Sequence, residues 1–142
     1  MSVGNALVNH PEIKAAVTLA GWNKSMNMID YRGCGMGGGV AKLLLPFASV
    51  YEYTMYGDYA FSTSMKGFAK TDCPVMIVHG EEDDTIPIRY GYETYYKKYG
   101  DDDRFVFKKY EDRDHEVMRG ADGKHDMALM AEIVAFLDGS LQ

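Results

Sequence analysis

The chain has 142 residues, a formal charge of −6, 46% hydrophobic and 25% charged residues. That length suits one domain with a real core, and the composition excludes disorder, collagen and coiled coil as descriptions of the whole chain. The acidic balance argues against nucleic acid and anionic lipid as partners, because both demand basic surface.

The first segment, residues 3–9, places Val3, Ala6 and Leu7 at helical spacing, and Pro11 ends that helix at His10. Residues 13–21 are mostly apolar, stop at Gly21, and read as a buried strand. The next stretch, about 22–72, is too long for a simple crossover and reads as a small, mostly helical insertion. It holds the glycine run Gly33-Cys34-Gly35-Met36-Gly37-Gly38-Gly39 and the apolar run Leu43–Phe47. Pro74–Gly80 is the clearest strand, bounded by a proline and a glycine. Residues 88–99 set Tyr92, Tyr95, Tyr96 and Tyr99 at helical spacing, with Gly100 as the expected cap. Residues 105–111 alternate as a strand near a sheet edge does. Residues 122–141 carry the stripe Met127, Met130, Ile133, Val134 and Leu137, an amphipathic helix expected to pack on the sheet.

The longest apolar runs, Ala15–Ala20 and Leu43–Phe47, fall far short of the ~20 residues of a membrane-spanning helix. The start, Met-Ser-Val-Gly-Asn, shows no basic region or apolar core, so no signal peptide is expected. Cys34 and Cys73 are too far apart for a C-x-x-C motif and read as free thiols in a reducing compartment. The expected location is cytoplasmic, with neither membrane nor nucleic acid as partner.

Strands and helices in this order make an α/β fold with a parallel sheet and right-handed crossovers. Ligands of such sheets bind at the carboxyl ends of the strands, so chemistry is sought after Gly21, Gly80 and Glu111. Two loops stand out there: His79-Gly-Glu-Glu-Asp83-Asp-Thr-Ile-Pro87 and Glu111-Asp-Arg-Asp-His115-Glu. A carboxylate and a histidine at one sheet edge suit a base oriented by an acid. The carboxylate fixes the imidazole tautomer and stabilises the imidazolium that forms.

With these residues the chain resembles the α/β-hydrolase superfamily, especially its prolyl-oligopeptidase-like and dienelactone-hydrolase-like branches. There the seventh strand ends H-G-x-x-D-x-x-V-P, matched here by His79, Gly80, Asp83, Ile86 and Pro87. The histidine follows the eighth strand and precedes Glu, matched by His115-Glu116, although Arg113 and Asp114 replace the usual small residues. The resemblance spans nearly all of residues 2–141. It implies the carboxyl-terminal half of the fold: three parallel strands (six to eight), flanking helices and a helical cap insertion at 22–72. Asp83 would be the acid and His115 the base of a Ser-Asp-His triad acting on a small ester, amide or peptide substrate. The cap, with Trp22, Met26, Met28, Leu43–Leu45, Phe47 and several tyrosines, would line an apolar acyl or aromatic pocket.

The third member is missing. No G-x-S-x-G elbow occurs: Ser25, Ser49, Ser62, Ser64 and Ser140 lack flanking glycines, and Arg32 and Met36 flank Cys34 where glycines are required. Ser2-Val-Gly4 is the nearest candidate, yet it stands only nine residues before Pro11. The 142 residues alone are therefore expected to be catalytically incomplete, and a non-catalytic binding module derived from a hydrolase is the alternative. Among bland readings, Glu81–Asp84 could be a solvated acidic turn, but its strand, Gly, Asp and Pro spacing favours the acid. Acids in an unbroken row lack the spacing of a calcium or magnesium loop, so no metal is expected. His79 reads as structural at a strand end, His10 as a helix-end residue, and His125 as solvated at the start of the last helix. The glycine run lacks the Lys-Ser or Lys-Thr of a phosphate loop and reads instead as a hinge in the cap. No cofactor is expected. The strand at 13–21, left without a neighbour on one side, is expected to drive self-association.

Overall fold

The computed structural model describes residues 2–120 and 122–141; the Cys34 side chain, read above as a free thiol, lies outside the described residues. Three parallel strands form the sheet in the order β1-β2-β3: β1 (Ala16–Leu19), β2 (Val75–Gly80) and β3 (Phe105–Tyr110). Ala16–Leu19 pair with Val75–Val78, and Val75–Gly80 pair with Phe105–Tyr110. β2 is buried at every residue, as expected for a central parallel strand covered on both faces.

Strand alternation divides the core in two. Val75 and Ile77 face α1 (Ser2–Asn9), α3 (Ser64–Phe68) and α4 (Tyr92–Tyr99), where Leu7, Phe68, Tyr95 and Tyr99 complete a cluster with Phe105. Met76 and Val78 face the opposite way, onto Val117 and onto Leu129, Ile133 and Phe136 of α5 (Met127–Gly139). The Tyr and Met stripes are thus partly packing surface. The crossing of α1 and α3 is glycine on glycine: a Cβ on Gly4 would collide with Ser64 backbone, and one on Gly67 with Gly4 backbone. Gly4 therefore serves helix packing.

Several boundaries are tighter than the sequence suggests. The expected strand 13–21 keeps only Ala16–Leu19, because the chain turns at Ala20, which takes a left-handed φ of 46°. The expected helix 88–99 splits into a short 3-10 turn at Ile88–Tyr90 and α4, broken at Gly91, whose backbone lies against the Gly21 carbonyl. The last helix starts at Met127 rather than 122. Asp126 caps it, accepting from the Ala128 and Leu129 N–H groups at 2.9 Å.

The segment between β1 and β2 is α2 (Ser25–Tyr56), a 3-10 turn (Gly57–Phe61) and α3. A straight helix would separate Met26 from Ser49 by about 35 Å. Instead the Ser49 hydroxyl reaches the Met26 sulfur at 3.6 Å, and the Ser25 hydroxyl approaches Glu52 Oε2 at 3.5 Å. α2 therefore doubles back, and a Cβ on Gly33 would touch that of Ala41 at 3.8 Å. The reversal falls in the glycine run, within helically bonded backbone and not in an open loop. The second arm is exposed: Leu43, Leu44 and Phe47 are 72%, 59% and 73% accessible. Such exposure leaves Leu43, Leu44 and Phe47 facing solvent, where the sequence suggests the wall of an apolar pocket. No helix among the described residues is long and apolar enough to cross a membrane.

Candidate active site

The loops following β2 and β3 meet because Gly80 lets them. A Cβ there would collide with the carbonyl oxygens of Arg113 and Asp114, and the Glu82 N–H donates to the Arg113 carbonyl at 3.0 Å. Asp83 is buried in the first loop. Its Oδ1 accepts the N–H groups of Thr85 (2.9 Å) and Ile86 (2.7 Å), a local turn that fixes the carboxylate plane. Its Oδ2 lies 3.0 Å from His115 Nδ1.

A carboxylate only accepts, so His115 Nδ1 carries the hydrogen. Nε2 is then the basic nitrogen, and it has no hydrogen-bond partner among the described residues. The His115 side chain is 42% exposed while that of Asp83 is 0%. A shallow groove of about 260 Å³ passes the imidazole, bordered by Leu19, Val117, Met118 and His125.

The two residues that depart from the superfamily pattern are occupied elsewhere. Arg113 donates to Asp126 (2.6 Å) and to the Val117 carbonyl (2.8 Å), and its guanidinium stacks on Tyr110 at 3.7 Å. Asp114 Oδ1 accepts the Glu116 N–H at 2.9 Å, closing its own turn. Together they shape the loop that presents His115.

The first arm of α2 lies over the loop that follows β2. The Tyr31 hydroxyl donates to the Asp84 carbonyl (2.9 Å) and Arg32 to the Thr85 carbonyl (3.4 Å). The sequence pattern does not show these contacts, which depend on the hairpin. It also undervalues His79, a fully buried neighbour of Asp83; membership of the same H-G-x-x-D motif was the available signal. Ser2 is exposed in the first turn of α1 and has no hydrogen bond to His115 among the described residues. His10 follows α1, pairing with Glu12 at 2.9 Å, and His125 is exposed just before α5. Among the described residues, no three His, Cys, Asp or Glu side chains group as a metal ion would need.

Among solved structures, the chain is similar to alpha/beta hydrolase domain-containing protein 10 from mouse, with a TM-score of 0.51 over 97% of this chain. The fold is a partial α/β-hydrolase fold. Sequence identity is 16%, and the match spans 57% of the mouse chain, so the likeness is one of fold. No family model and no curated protein matches the sequence.

Proposed function

We propose that this partial α/β-hydrolase fold carries the acid and base of a serine-hydrolase-type site, with Asp83 orienting and His115 accepting a proton. The observation that supports this most is the 3.0 Å approach of buried Asp83 Oδ2 to half-exposed His115 Nδ1 at the carboxyl edge of the sheet. In acyl hydrolysis His115 Nε2 would take the proton of an attacking hydroxyl and return it to the leaving group. Asp83 would stabilise the imidazolium between the two transfers. The H-G-x-x-D-x-x-I-P run favours the prolyl-oligopeptidase-like and dienelactone-hydrolase-like branches, hence a small ester, amide or peptide substrate. The α2 hairpin, bonded to the acid loop through Tyr31 and Arg32, would serve as the cap.

The 142 residues hold no nucleophile elbow, so they should perform no serine-based turnover by themselves. A fluorophosphonate probe should leave them unlabelled; labelling of Ser2 would establish a third triad member and overturn that part of the reading. The oriented imidazole should still attack an activated ester. With p-nitrophenyl acetate, Nε2 adds to the acyl carbon, p-nitrophenolate leaves, and water cleaves the acyl-imidazole. This activity should fall roughly tenfold in His115→Ala, short of the 10²–10⁴ of a general base in a complete site, and fall also in Asp83→Asn. Equal rates in all three proteins would overturn the proposal.

A further inference from the structure

Asp83 Oδ2 faces two imidazoles. Besides His115 Nδ1 at 3.0 Å, His79 Nε2 lies 3.3 Å away, and the same Nε2 is 2.9 Å from the Ile86 carbonyl oxygen. A carbonyl only accepts, so His79 Nε2 carries the hydrogen and donates. This makes a chain of bonds, His79 to Ile86 O and the Ile86 N–H to Asp83 Oδ1, with Asp83 Oδ2 bonded to His115 and in contact with His79 Nε2. The other nitrogen, His79 Nδ1, is buried without a hydrogen-bond partner among the described residues. A proton there would bury an unsatisfied N–H and a charge together, which is costly.

The surroundings hold the ring in one place. His79 is fully buried on the face of β2 that carries Val75 and Ile77, and a Cβ on Gly91 would touch its Cε1 at 3.5 Å. The charged and titratable groups facing it are Asp83 and His115. Lys109, its register partner on β3, has its ammonium held by Glu81 at 3.0 Å.

We infer that His79 is a positioning residue for the Asp83–His115 pair. Its neutral Nε2–H, given to the Ile86 carbonyl, holds the turn whose N–H groups fix Asp83, so that Oδ2 meets His115 Nδ1 and the carboxylate charge is left to one imidazolium. Were His79 cationic, it would compete for that charge and repel the imidazolium formed on His115. This inference rests on the acid–base reading above and extends it to a residue that otherwise counts as a strand end.

The test is long-range ¹H–¹⁵N spectroscopy of the imidazoles in the 142-residue chain and three variants. His79→Gln keeps a donor near the Nε2 position; His79→Leu keeps volume but removes it; Asp83→Asn is the control. Expected is a His115 held as the Nδ1–H tautomer in the parent and in H79Q, with that preference lost in H79L and in D83N. Retention in H79L together with loss in D83N would overturn the role of His79 and leave the pair intact. Retention in D83N would overturn the pair itself. A fall in melting temperature of H79L with an unchanged His115 tautomer is the outcome of a merely structural histidine and counts against the inference. If H79L fails to fold, the parent spectrum decides: His79 protonated on Nε2 alone at a pH where exposed His125 carries both hydrogens supports the inference, and protonation of both His79 nitrogens there overturns it.

Discussion

Asp83 divides its two oxygens between its own turn and two imidazoles. Oδ1 is spent on the N–H groups of Thr85 and Ile86, and Oδ2 is left to the imidazoles. That division was legible in part: the spacing from His79 to Pro87 singled out Asp83, and the loop after β3 singled out His115. What the spacing could not show is where Arg113 and Asp114 point, since both depend on partners far along the chain or on a local turn. Gly80 is the backbone condition for the meeting of the two loops. Gly80→Ala should cost about 1–3 kcal/mol, the usual range for overpacking, because the colliding atoms are backbone oxygens of Arg113 and Asp114. Urea unfolding checks this, and an unchanged midpoint would contradict it. A pH effect follows from His79, whose burial pushes its pKa below the ordinary 6.5. The unfolded chain then binds a proton that the folded chain refuses, so stability falls as pH drops below about 6.5, by up to about 1.4 kcal/mol per pH unit. Above about pH 7 both forms are neutral and the contribution vanishes. Asp102 and Asp126, whose carboxyls are held below 3.8 mainly by hydrogen bonds, lose stability only at lower pH. Melting temperatures from about pH 7 to pH 5 should therefore decline in the parent and less steeply in His79→Gln.

At the scale of elements, hydrophobic runs and breakers located all three strands and the helices α1, α4 and α5, whereas α3 lay within a stretch read only as mostly helical. The ends moved inward at Ala20, where the chain turns, at Gly91, whose backbone meets Gly21, and at Asp126, whose carboxylate caps α5. The α2 hairpin was the element least visible in the sequence. Its glycines signalled freedom, and its apolar residues signalled a pocket wall. In the structure the glycines host a reversal inside helical backbone, and Leu43, Leu44 and Phe47 face outward. Pattern alone cannot separate these outcomes, because an apolar stripe shows that a face is unfavourable in water without showing what covers it. Pro46 lies inside the second arm, where it lacks the N–H that would bond the Lys42 carbonyl. Pro46→Ala should raise helical circular dichroism and stabilise that arm by about 1–3 kcal/mol. An unchanged or lower helical signal would contradict this.

At the scale of the molecule, three strands cannot close a sheet, and among the described residues β1 pairs only with β2. Its far edge presents free N–H and C=O groups beside the half-exposed Leu19, and such edges recruit other strands. We expect concentration-dependent association at micromolar concentration in sedimentation velocity, weakened in Leu19→Lys, which places a charge on that edge. A parent that stays monomeric across the range would contradict this. The length that suits one ordinary domain thus contains a fold matching 57% of a structural neighbour, with Asp83 and His115 brought together at one end of the sheet.

The most direct test of that assembly needs no variant. The ¹⁵N shifts of His115 followed across its titration in the 142-residue chain should show Nδ1 protonated throughout and Nε2 as the nitrogen that gains and loses the proton. A neutral His115 with its hydrogen on Nε2 would mean that Asp83 does not hold the ring, and the acid–base pair would not exist in solution.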